Sequence, residues 1–228
     1  MIRIDPRING ALLNTYKAHL LSYDIGATDY ANGYVLPPSS MIPAKLKYSI
    51  GLRSVVLKID FEGETMNEIT CSISEFTERL HEGAEILLPD GFTYSCVFKN
   101  ASTPKEKAPW ILQVEFTLEG YRHGALEIMT LTRTGSIFVD GNCETPAILK
   151  IATSAKSAKV CGISVYNING EVVIDGYKKK VMQNGVNKFG DTDMTEFPKF
   201  FPGYRQIDVA AAGNEAITVE VSYYPIYR

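Results

Sequence analysis

The sequence predicts a mainly β protein in two parts, an N-terminal β-sandwich domain carrying one α-helix and a C-terminal antiparallel β-sandwich. Three observations predict it. Short segments of alternating apolar and polar residues recur along the chain. A single stretch, Asn67 to Glu82, keeps a sustained helical spacing of apolar residues. Beyond Gly141, short strand-like runs follow one another between turn signals with no helical pattern. The 228 residues suffice for two modest domains with separate cores. The expected domains are 1–131 and 141–228, with Leu131 to Gly141 as the linker.

Taken in order, Gly26 to Lys47 comes first. It is punctuated by Gly26, Gly33, Pro37, Pro38 and Pro43, and Tyr30 and Tyr34 flank an Asn32-Gly33 turn signal. It reads as an arm or long hairpin rather than a core strand. Ser54 to Phe61 starts β-branched and then alternates, with Leu57, Ile59 and Phe61 on one face and Lys58 and Asp60 on the other. In the helix, 67–82, residues Ile69, Ile73, Phe76 and Leu80 form one stripe. Thr65 and Glu68 match a capping box, Glu75 stands one turn before Arg79, and Gly83 supplies the stop. A strand reading from Ile69, Cys71 and Ile73 competes, but Phe76 and Leu80 fit only a helix. Phe92 to Phe98, after an Asp90-Gly91 turn, and Ile111 to Leu118 complete the first sheet. Ser102 to Pro109 is expected as a solvated loop before the single tryptophan, Trp110.

In the second domain the expected strands are Ala147 to Ile151, Val160 to Tyr166, Glu171 to Asp175, Lys180 to Gln183, Arg205 to Val209 and Ala216 to Tyr223. Asn169-Gly170 and Asn184-Gly185 mark tight turns, where positive φ is cheap. Strands this short and this regularly punctuated imply an antiparallel sandwich.

Composition and motifs exclude most chemistry. Hydrophobic residues make up 45% and charged residues 21%, so the chain is globular rather than disordered. A net charge of −3 offers no phosphate-neutralising surface for tight DNA binding. No signal peptide and no membrane-length apolar run is evident, so no membrane insertion is expected. Cys71, Cys96, Cys143 and Cys161 are far apart and read as reduced thiols of a protein made in a cytoplasm. His19, His81 and His123 are isolated from them and from one another. No phosphate-binding loop, dinucleotide fingerprint, nucleophile elbow or H-E-x-x-H occurs. Asp191-x-Asp193-x-Thr195 begins like a calcium loop but has Glu196 where glycine belongs and Pro202 where the closing glutamate belongs. No catalytic residue, metal or cofactor is therefore expected. Asp175, before Gly176, reads as a carboxylate capping backbone N–H groups at a corner. Lys178-Lys179-Lys180 reads as a solvated hairpin tip that also deters edge-to-edge aggregation. Tyr223, Tyr224 and Tyr227 read first as packing at the closing strand, because neighbouring strand residues face opposite ways.

One ordered series carries more than class. Ile174-Asp175-Gly176, Val181, Asn184-Gly185, Phe197-Pro198, Pro202-Gly203 and Ile207 follow one another between Gly141 and Tyr227. The series resembles the C-terminal half of phage distal tail (Dit) proteins, the ring that joins a siphophage tail tube to its baseplate. Tyr204-Arg205-Gln206 departs from it, since an asparagine is usual after the Pro-Gly. The strand–helix–strand order from Ser54 to Phe98 fits the N-terminal half of the family more loosely. The resemblance implies a tail-tube-like N-terminal domain closing into a hexameric ring and a galectin-like C-terminal sandwich. It implies a non-enzymatic hub at the virion tail tip, synthesised in the bacterial host cytoplasm. Its partners would be copies of itself, the tail tube protein, a tail-associated hub or lysin protein, and receptor-binding or side-fibre proteins. DNA would only pass through the lumen. Within such a ring, Tyr30 and Tyr34 are candidates for anchoring the arm 26–47 on a neighbour; an ordinary surface hairpin is the competing reading. A second function class stays open: a carbohydrate-binding β-sandwich that attaches a particle to host wall glycans.

Overall fold

The computed structural model describes residues 4–28, 30–35 and 44–228, with the backbone alone for 30–35 and 44–50. The chain divides into two compact units, Met1–Arg122 with Arg228, and His123–Tyr227.

The first unit contains β1 (Arg7–Ile8), β2 (Ala11–Leu12), a 3-10 turn (Leu13–Tyr16), β3 (Ala18–Ile25), β4 (Tyr30–Val35), β5 (Ala44–Ile50) and β6 (Arg53–Glu62). After α1 (Met66–His81) come β7 (Ala84–Leu87), β8 (Thr93–Ala101), β9 (Lys105–Ala108) and β10 (Ile111–His123). One sheet runs β2-β1-β7-β8-β10-β6-β3, with β9 also on β10, and β4 and β5 form a separate hairpin. Its period-two pattern sets the buried face. Val55, Leu57, Ile59 and Phe61 of β6 point inward beside Val114, Phe116 and Leu118 of β10. On this face lies α1, burying Ile69, Phe76 and Leu80, with Ile73 half-buried at its margin. The Phe76 ring meets Tyr16, Phe61 and Phe116 at centroid distances of 5.6, 5.4 and 5.0 Å.

The helix ends follow the expected chemistry with two changes. Thr65 Oγ1 accepts from the Glu68 N–H at 3.2 Å, but the Glu68 carboxylate accepts from Glu64 N–H at 2.7 Å and also holds the Lys17 ammonium. Arg79 pairs with Glu82 at 3.5 Å, beyond the helix end, instead of with Glu75. Gly83, at φ +99°, turns the chain into β7. Glycine is also required at 120 in β10, for space: an added Cβ would press into the Ser95 carbonyl and Cys96 of β8. Lys105–Ala108, expected within a loop, is a strand on β10. Its charged residues suit a short strand with little to bury.

The second unit comprises β11 (Glu127–Leu131), β12 (Gly135–Val139), β13 (Thr145–Thr153), β14 (Ala158–Val160), β15 (Ile163–Val165), β16 (Gly170–Asp175) and β17 (Lys180–Gln183). It continues with β18 (Val186–Asn187), β19 (Lys199–Phe200), β20 (Gly203–Ile207), β21 (Val209–Ala211), β22 (Ile217–Tyr223) and β23 (Ile226–Tyr227). The main antiparallel sheet runs β11-β22-β13-β16-β17-β18. A ribbon, β12-β20, and a small sheet, β15-β14-β21, contribute to the same core. Leu149, Ile151, Val172, Ile174, Val181, Val219 and Val221 are buried from the main sheet, and Ile137, Val139, Val160, Val165 and Ile207 from the others.

Three segments differ from the sequence expectation. Residues 127–139 hold β11 and β12 where the end of the first domain and a linker were expected. Because β11 pairs with β22 and Met129 and Leu131 pack on the second core, the division falls at Arg122/His123 rather than near 131. Val160 to Tyr166 is two strands, broken by Cys161-Gly162 with both residues left-handed at φ 52° and 77°. Arg205 to Val209 splits at Asp208, where the chain leaves β12 and joins β14.

Candidate functional site

Part of the ordered C-terminal series converges on Ala147 in β13. Ala147 N–H donates to the Pro198 carbonyl at 3.0 Å, and Gly176 N–H donates to the Ala147 carbonyl at 2.9 Å. A Cβ on residue 176 would stand 2.6 Å from both of those carbonyl oxygens, so three backbone segments cross where only glycine leaves room. Just before it, Ile174 is fully buried between Leu149 and Val181. Asp175 behaves as a cap: its Oδ1 accepts from Tyr177 N–H and Lys178 N–H, each at 2.9 Å.

The corner is tied further by a residue the sequence reading passed over. Tyr177 Oη lies 3.2 Å from Thr145 Oγ1 and accepts from Tyr224 N–H at 3.0 Å. Thr145, fully buried, donates to the Tyr224 carbonyl at 2.8 Å. This small network joins the start of β13, the turn after β16 and the chain leaving β22. Tyr177→Phe keeps the ring and deletes the hydroxyl, so it is expected to lower stability by about 1–2 kcal/mol. A urea titration should show an earlier midpoint at unchanged slope.

The rest of the series sits elsewhere in the same unit. Asn184 and Gly185 form the two-residue turn joining β17 to β18, both at positive φ (51° and 79°), with Gln183 facing Val186. Gly203 opens β20 at φ +98°. There Arg205 donates to the carbonyls of Phe201 and Pro202 at 2.8 and 3.2 Å, fixing the Pro202-Gly203 corner. Phe197 is half-buried, 6.0 Å from the Phe189 ring, with the Lys179 ammonium 5.3 Å above it. All three lysines of the run are exposed, and one of them, Lys179, also reaches over an aromatic ring. Tyr30 and Tyr34 fall in β4, and their side chains lie outside the described residues.

The acids of the calcium-like segment have protein partners. Asp191 accepts from Asn167 Nδ2 at 2.7 Å and pairs with Lys188 at 3.0 Å. Asp193 accepts from Ser164 N–H at 2.7 Å. These bonds hold both carboxyls below the ordinary range. Among the described residues no group of three His, Cys, Asp or Glu side chains is placed to hold a metal ion. All four cysteines are free, and burial pushes the Cys96 and Cys161 thiols up to about 12.

Two exposed aromatic features were also missed. Trp110, 52% exposed, adopts φ 67° at the turn between β9 and β10, an uncommon conformation for a bulky residue. Phe138 and Tyr204, opposite each other on β12 and β20, pack edge-on at 5.2 Å on the outer face. Inward Ile137 and Val139 would have pointed to Phe138 had β12 been recognised as a strand.

No family model and no curated protein matches the chain. Solved structures do. The crystal structure of the SPP1 Dit protein, described as a paradigm of the hub adsorption apparatus in phages infecting Gram-positive hosts, aligns with a TM-score of 0.73 at 13% identity. The alignment covers 96% of this chain and 98% of that one. The phage P2 baseplate in its activated conformation with Ca aligns with a TM-score of 0.60 at 11% identity, covering 94% and 92%. The same baseplate with Sr gives 0.57 at 10%, covering 92% of each chain. The fold is thus that of phage baseplate proteins, extending over both units. Within that class it is the distal tail (Dit) fold.

Proposed function

We propose that this chain is a structural baseplate hub, a distal tail protein of a phage or prophage tail. Six copies close into a ring that joins the tail tube protein on one side to the tail-associated hub or lysin protein on the other. The C-terminal unit holds receptor-binding or side-fibre proteins, and DNA passes through the lumen. The protein acts at the virion tail tip after synthesis in the host cytoplasm, without membrane insertion and without making or breaking a bond. One observation carries this reading: a single alignment to a hub protein takes in 96% of the chain, both units in order. Such a ring requires a head-to-tail interface whose rotation closes. The arm 26–47, which includes β4 and the start of β5, is the proposed reach to the neighbour, with Tyr30 and Tyr34 as its aromatic anchors.

Light scattering of the purified protein should give the mass of six copies, and negative-stain images should show rings. A single-copy mass at high concentration, unchanged on adding the tail tube protein, would sink the reading. Deleting residues 26–47 is expected to abolish the ring; an intact ring in that variant removes the arm from the interface.

A further inference from the structure

Trp110 is the single tryptophan, and neither its turn nor the core accounts for it. With Pro109 it makes the two-residue turn between β9 and β10. It holds φ at 67°, a conformation for which turns usually recruit glycine or asparagine. The residue is 52% exposed, so its ring adds little to the core either. Its surroundings are acidic. The Trp110 carbonyl accepts from Gly63 N–H at 3.3 Å, and the next residue, Ile111, pairs with Glu62 in the β10–β6 register. This backbone contact fixes Glu62 and Glu64, on either side of Gly63, beside the tryptophan. Both acids, Trp110, Pro109 and Lys17 line one open cavity of about 490 Å³.

The charges in this cavity are unevenly matched. Lys17 is the only basic residue of the lining, and its ammonium is held by Glu68 in the first turn of α1. Glu62 Oε1 lies 2.8 Å from His19 Nε2. Glu64 donates its backbone N–H to Glu68 at 2.7 Å, but its exposed carboxylate makes no hydrogen bond or ion pair among the described residues. Nor does the Trp110 ring stack on another ring or take a cation among them. An open indole face attracts a cation through its quadrupole, and an unpaired carboxylate attracts one by charge. Arginine satisfies both at once, because its planar guanidinium stacks on an aromatic face while its fork of N–H donors reaches a carboxylate. Lysine offers a compact ammonium that holds its water more tightly. The cavity is open, and its volume lies in the roughly 300–1,000 Å³ range of small-ligand sites, so a side chain can enter from another molecule. We propose that it receives an arginine side chain presented by a protein partner, stacked on Trp110 and paired with Glu64. The cavity lies within one copy of the chain and goes beyond the baseplate reading without depending on ring formation.

Because Trp110 is the single tryptophan, its emission reports from the cavity itself. The probe is the tripeptide acetyl-Gly-Arg-Gly-amide, titrated into the full-length protein. It should change that emission saturably, with a dissociation constant of about 5–50 mM at low salt and weaker binding as salt rises. The same peptide with citrulline keeps the planar shape without the charge and should bind roughly fivefold more weakly. The lysine peptide should bind about threefold more weakly. Glu64→Gln removes only the charge and should weaken the arginine peptide about threefold. Trp110→Ala, read by saturation-transfer NMR of the peptide, should weaken it roughly fivefold. Urea midpoints check folding, and if Trp110→Ala is misfolded, Glu64→Gln decides. The proposal is overturned if the emission change does not saturate, if the citrulline or lysine peptide binds as well as the arginine peptide, or if folded Glu64→Gln or Trp110→Ala binds like the wild type. Ring mass measured on the same samples reports separately on the baseplate reading.

Discussion

Gly176→Ala is expected to destabilise the C-terminal unit by about 3 kcal/mol or more, although the substitution adds one methyl group. The φ at this position is not in the left-handed region, so the cost is steric. The new Cβ would lie 2.6 Å from the carbonyl oxygens of Ala147 and Pro198, and both are backbone atoms that no side-chain rotation can clear. Relief requires β13 or the Pro198 segment to retreat. Either movement stretches the bonds Ala147 N–H to Pro198 O and Gly176 N–H to Ala147 O, each worth about 1 kcal/mol, on top of the roughly 1–3 kcal/mol typical of overpacking. It also disturbs the adjoining Asp175 cap and the Tyr177–Thr145–Tyr224 network. Urea unfolding followed by far-ultraviolet circular dichroism should show early loss of β signal. A midpoint equal to wild type would falsify the claim that the crossing is tight.

The helix was legible because its information is local: the apolar stripe, the Thr65 cap and Gly83 all lie within one short window, and α1 spans Met66–His81. Strands with one buried face, such as Ser54 to Phe61, were legible for the same reason. Strands that bury little were not. Lys105–Ala108 has no apolar face to read, because its position is set by hydrogen bonding to β10. The breaks at Cys161-Gly162 and Asp208 depend on which partner strand each half meets, and that is a tertiary choice. At the candidate site, Asp175 as a turn cap and Asn184-Gly185 as a tight turn follow from residue type. The convergence of Gly176, Pro198 and Ala147 does not, since these positions are far apart along the chain.

Phe76→Ala in the first unit should cost about 3–5 kcal/mol, the range for truncating a fully buried aromatic. The ring has no exposed surface and meets Tyr16, Phe61 and Phe116 edge-on or tilted, so its loss removes apolar burial and three aromatic contacts together. The sheet cannot close the void cheaply: β6 and β10 are locked through ten consecutive residue pairs, from Ile111↔Glu62 to Gly120↔Arg53. Phe76→Leu refills much of the volume and should lose less than half as much. The single tryptophan, Trp110, belongs to this unit, so its fluorescence follows the affected transition directly. If helix α1 merely decorated the sheet, the alanine variant would unfold within about 1 kcal/mol of wild type. If α1 closes the core, the tryptophan transition moves to much lower urea.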